Sequence, residues 1–176
     1  MKYQNYAKTR QVNDSAARRP GDAARLAEVN INPSTGLASD YLNHFNEAIM
    51  LLETLPISPD CLDDFLTWRP KSYREHFEAS RVKGRCLAIA AYDDADPSVR
   101  NSLDNLANTM TAVLKATRTA MNAAASPQSM AAVADRAAAL LRPLVARAGA
   151  VINGDDTFVA GEPMTRQAMV DRLMKG

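Results

Sequence analysis

Residues 96–153 read DPSVRNSLDNLANTMTAVLKATRTAMNAAASPQSMAAVADRAAALLRPLVARAGAVIN, and this stretch decides the fold. Val99, Leu103, Leu106, Met110, Val113, Thr117, Ala120 and Ala124 step alternately by four and three, a heptad seam over four repeats. After Ser126-Pro127 the rhythm resumes in Met130, Val133, Ala137, Leu140, Leu144, Ala148 and Val151. Each run predicts a long helix with one apolar stripe, and a tight turn between them predicts an antiparallel, coiled-coil-like hairpin. The small side chains at 123–125 and 137–139 let the two backbones approach closely. Pro143 lies inside the second helix, where it removes one backbone hydrogen bond. A hairpin alone buries too little, so its stripe needs a cover. Either the N-terminal helices supply one, or a second copy does, as a homodimer through the hairpin.

Helix starts upstream follow one device, a capping residue followed by proline: Ser58-Pro59, Asp96-Pro97 and Ser126-Pro127. The cap oxygen accepts from an orphan N–H, and proline occupies the first helical position, where no N–H is needed. Ser39 or Asp40 should cap a helix running to Thr54, with Leu42, Phe45, Ile49 and Leu52 on its inner face. Shorter helices are predicted at 59–67, 70–82 and 85–94, with Gly84 as a break. The turn cluster Asn32-Pro33-Ser34-Thr35-Gly36 marks the start of the folded body. The expected organisation is therefore a mobile polar tail at 1–36, a helical domain at 37–153, a linker at 154–163 and a C-terminal amphipathic helix at 164–176. The fold class is all-α, a helical bundle built on the hairpin. A composition rich in Ala, Leu and Met, with only 7 Gly and 6% aromatics, agrees with helix over strand.

Net charge is +1, which argues against nucleic acid or an anionic membrane as the partner. The charge is unevenly spread. Asp40, Glu47, Glu53, Asp60, Asp63 and Asp64 stand in residues 31–68 without one Lys or Arg among them. Cys61 and Cys86 lack metal or redox spacing and read as reduced thiols, so the expected compartment is the cytoplasm. No stretch is long and apolar enough to span a bilayer. A phosphate-cradling glycine loop and a nucleophile elbow are both missing, and the expectation is a non-enzymatic interaction protein without a cofactor.

The alternative rests on the two histidines. Tyr41-Leu42-Asn43-His44-Phe45 and Tyr73-Arg74-Glu75-His76-Phe77 share the pattern Tyr-x-x-His-Phe, 32 residues apart. On helices, Tyr and Phe share a face and His lies beside them. If the two imidazoles converge, His44, Glu47, Glu75 and His76 form a candidate set for a divalent metal, as carboxylate–histidine sites between bundle helices do. Phosphotransfer through His44 or His76 is the other chemistry open to them. The bland alternative is two half-buried histidines in an aromatic contact.

At the C-terminus, Gln167-Ala168-Met169-Val170-Asp171-Arg172-Leu173-Met174 resembles the short helix by which the chemotaxis phosphatase CheZ and the flagellar switch protein FliM dock on a response regulator. The resemblance covers about ten residues. It implies a protein partner, a response regulator, bound through Gln167, Val170, Asp171, Leu173 and Met174. It does not extend to catalysis, because the acidic–Gln pattern of the phosphatase hairpin has no counterpart between Asp104 and Thr117. The alternative is that Met169, Val170, Leu173 and Met174 fold back onto the chain's own core.

Overall fold

The computed structural model describes residues 22–155 and 165–174. Among them are eight helices: α1 (Asp22–Ala27), α2 (Tyr41–Thr54), α3 (Cys61–Thr67), α4 (Tyr73–Ala79), α5 (Arg85–Asp93), α6 (Pro97–Asn122), α7 (Pro127–Asn153) and α8 (Arg166–Met174). The fold is all-α, with an isolated bridge between Ile31 and Ala38. No helix among the described residues is long and apolar enough to cross a membrane.

The hairpin is α6 and α7. Asp96 accepts from the Ser98 N–H to cap α6, and Ser126 and Ser129 form a reciprocal capping box at the start of α7. Gly154, at φ 70°, ends α7 in the left-handed conformation that closes helix C-termini. The buried set differs from the strict seam. On α6 it is Leu103, Ala107, Met110, Val113, Leu114, Thr117 and Met121; on α7 it is Val133, Ala134, Ala137, Ala138, Leu141, Leu144, Ala148 and Ile152. Leu106 and Leu140, expected on the seam, are only half-buried at its margin. The cause is that each long helix is covered on a second side, α7 by α2 and α6 by α8. The apolar stripe must then be broader than a two-stranded seam. Both α2 and α8 belong to the same chain, so the chain itself supplies part of the cover the hairpin needs.

The expected tail boundary at 36 is also corrected. Leu26, Ile31, Thr35 and Leu37 are buried, and Thr35 Oγ1 donates to the Ile152 carbonyl at 2.6 Å, tying this segment to the end of α7. The polar average over this segment hid two buried apolar side chains, Leu26 and Ile31. Gly84, at φ 89°, opens α5 where a Cβ would stand 2.6 Å from Val29 Cγ1, so α5 abuts the turn after α1 only because this residue is glycine. Ser58-Pro59 does not cap α3: its cap residue is Asp60, which makes no capping bond. The tail at 1–21 and the linker at 156–163 lie outside the described residues.

Candidate functional site

The repeated Tyr-x-x-His-Phe motifs pack on each other. Tyr41 lies against Tyr73 with ring centroids 5.2 Å apart, and His44 lies 5.8 Å from His76. Phe45 and Phe77 flank their own tyrosines at 5.5 and 4.8 Å. Aromatic pairs at these separations add stability beyond the area they bury.

The polar atoms of the two motifs exchange bonds reciprocally. From α2, the Tyr41 hydroxyl donates to the Lys71 carbonyl at 3.1 Å, and His44 Nε2 accepts the Lys71 N–H at 3.0 Å. From α4, the Tyr73 oxygen accepts the Ala38 N–H at 2.8 Å. Thus α2 uses Tyr41 and His44, and α4 uses Tyr73, to hold the chain segment that leads into the other helix. The backbone groups before a helix have no partners of their own, and these side chains satisfy them. The echo in the sequence is a structural joint.

Burial governs the charge state of this joint. His44 is 5% exposed and stacks on Trp68 at 4.5 Å. Its pKa is pushed down to about 4, first by burial and then by His76 and Lys71, against a backbone hydrogen bond with Arg69. His76 is also lowered, by burial first and Lys71 next, while Asp40 and Glu47 oppose. A neutral His44 is what the Lys71 N–H requires, since only an unprotonated nitrogen can accept. Folding that depresses a histidine's pKa makes the unfolded chain the better proton binder between the two values, so stability rises with pH across that window. The contribution is complete above about pH 6.5 and is lost as pH falls toward 4. Chemical denaturation between pH 7 and pH 4 should show a loss on the order of 2 kcal/mol from His44, because each tenfold drop in proton affinity on folding is worth about 1.4 kcal/mol and solvent in the adjoining recess screens part of it. An NMR titration placing His44 near 6.5 would contradict this account.

The four residues of the metal candidate are not arranged as a ligand set. His44, His76 and Glu47 do line one open recess of about 270 Å³, with Asn43, Lys71, Ala79 and Ser80. But His44 Nε2 is spent on the Lys71 backbone, and the Lys71 side chain repels a cation from the same recess. Glu75 is spent elsewhere: its carboxylate accepts the Ser72 N–H and hydroxyl, both at 2.8 Å, completing the capping box of α4. Among the described residues no group of three or more His, Cys, Asp or Glu side chains is placed to hold a metal ion. Phosphotransfer fares no better at His44, which is too deeply buried to meet a phosphodonor.

The C-terminal candidates divide by face. Leu173 is fully buried and Met169 is 7% exposed, both against the hairpin, since α8 packs on α6 and α7. Leu173 is therefore not presented to a partner in this arrangement. Val170 and Asp171 are half-buried, and Gln167 and Met174 face outward, with Gln167 Nε2 donating to Asp171 at 2.8 Å.

A surface that sequence reasoning did not single out lies on α2. Met50 is 58% exposed and Ile57, in the turn that prolongs α2, is 87% exposed. The Ile57 and Ser58 N–H groups both bond the Thr54 carbonyl, so the helical path continues and puts Met50, Thr54 and Ile57 on one face. Glu47 and Glu53 border this face, and Asp60, Asp63 and Asp64 follow on α3 and its approach. Glu53 pairs with Arg142 of α7. Among the described residues, Glu47, Asp60, Asp63 and Asp64 form no ion pair. The sequence signal was the cation-free span itself. What it withheld was which apolar residues stay outside. Compared with protein-family models, curated proteins and solved structures, the chain matches none.

Proposed function

We propose that the chain is a non-enzymatic interaction protein of the cytoplasm, an adaptor or regulator that receives a basic, amphipathic helical segment on the outer face of α2 and α3. The observation that carries this reading is the exposed pair Met50 and Ile57, set beside Glu47, Asp60, Asp63 and Asp64, which form no ion pair among the described residues. Apolar anchors supply affinity when a groove or helix face desolvates them, and the surrounding charge selects the sign of the partner and speeds encounter. The test is titration of a Lys/Arg-bearing amphipathic helical peptide against the full chain. Binding should weaken with salt and be lost in Ile57→Asp, while an acidic peptide of the same length should not bind. Equal binding by Ile57→Asp would refute the reading.

The docking-helix resemblance supports a second reading, a response regulator held through α8. The outward side of α8 favours it, with Met174 at 53% exposure beside Gln167. Using Leu173 as an anchor there requires α8 to leave the hairpin, and the partner must then replace the burial it gives up.

A further inference from the structure

Arg118 on α6 and Arg69 just past α3 converge on one atom. Arg118 Nη2 donates to the Trp68 carbonyl at 2.5 Å and Arg69 Nη1 donates to the same oxygen at 2.9 Å. Arg69 Nη1 also reaches the Leu66 carbonyl at 2.6 Å. Two guanidinium groups sharing a single oxygen must stand side by side, and like charges at that range repel. Among the described residues the ion pairs are Arg74–Asp93 and Arg142–Glu53, so neither Arg69 nor Arg118 is neutralised by a carboxylate. The acidic residues nearest in sequence, Asp63 and Asp64, are exposed and form no ion pair with them. Arg118 is partly buried, with Nε enclosed and lacking an acceptor, and burial together with Arg69 pulls its pKa down. Trp68 Nε1 is likewise an enclosed donor without an acceptor. The pair is thus rich in donors and positive charge and short of acceptors, while Arg69 remains open to solvent.

We propose that Arg69 and Arg118 form a binding site for a phosphate-type oxyanion. Planar guanidinium forks match oxyanion geometry, and two of them match the charge of a phosphate group, near −2 at neutral pH, better than that of a carboxylate. The shared carbonyl fixes both forks in register before the anion arrives, which lowers the ordering cost of binding.

Trp68 supplies the readout, because the chain has one Trp and its own carbonyl is the common acceptor. Indole fluorescence of the full chain is followed during titration with inorganic phosphate, with sodium acetate and sodium chloride as controls at matched ionic strength. The expected result is a saturable change with phosphate, and with acetate only at concentrations higher by about tenfold or more. Arg69→Gln, at an exposed position, should raise the half-saturating phosphate concentration by at least about tenfold, as loss of a charged donor implies. Circular dichroism of Arg69→Gln establishes that the helices persist. Arg118→Gln should raise the half-saturating concentration likewise; where that variant fails to fold, the Arg118 Nε–H resonance of the wild-type chain is followed instead and should shift with phosphate along the same curve. A response that chloride reproduces, an unchanged titration in Arg69→Gln, or an Arg118 resonance that does not move would each overturn the proposal.

Discussion

Leu141→Ala is expected to cost about 2–5 kcal/mol, and Leu140→Ala markedly less, although the two are adjacent leucines of one helix. Leu141 is fully buried between α7 and its neighbours, whereas Leu140 sits at the margin. The transfer and cavity terms that make a buried Leu→Ala expensive apply in full only where surrounding atoms cannot follow the shrinking side chain. The same contrast should hold on α6, with Leu103→Ala severe and Leu106→Ala mild. Urea denaturation of the four variants checks this. A larger loss at 140 than at 141 would restore the strict heptad seam and contradict the broader stripe covered by α2 and α8.

Leu173→Ala should lower the melting midpoint by several degrees, and deleting 165–176 should lower it further. Leu173 is fully buried and Met169 nearly so. Burying each such side chain is worth about 1.5–3 kcal/mol, and in a chain of this size each kcal/mol moves the midpoint by roughly 2–4 °C. A truncated chain that melts with the intact one would free α8 from the core and return it to the role of a tethered docking helix. The same scan on Met174→Ala, at an exposed position, should show little change.

The hairpin was legible in the sequence because two long periodic runs and a Ser-Pro cap leave few alternatives to two antiparallel helices. Its register was not, because periodicity reports a stripe but not how many neighbours will cover it. The covers come from residues far away in sequence. In the segment before Asn32 a short helix near Asp22–Val29 was legible and is α1, but its attachment was not: only contact with the body reveals Leu26 and Ile31 as core. Within the candidate site, the Tyr-x-x-His-Phe echo raised two packed helices as one possibility and left the approach of the imidazoles open; the rings lie 5.8 Å apart. It could not show which atoms the nitrogens face. For His44 that atom is the backbone N–H of Lys71, invisible to residue spacing, and it turns a metal candidate into a joint. Glu75 was readable in principle, since Ser72-Tyr73-Arg74-Glu75 is a capping-box pattern. The Arg69–Arg118 pair was not, because the two residues are 49 positions apart and meet only through the carbonyl of Trp68.

The functional claim is that partners meet the outer face of α2 and α3 while α8 stays on the hairpin. Hydrogen exchange read by mass spectrometry, on the full chain with and without a saturating basic amphipathic peptide, tests it most directly. The account predicts new protection confined to residues 47–64, with the backbone of α8 exchanging at the same protected rate in both samples. Loss of protection in α8 on binding, with residues 47–64 unchanged, would contradict it and assign recognition to the C-terminal helix.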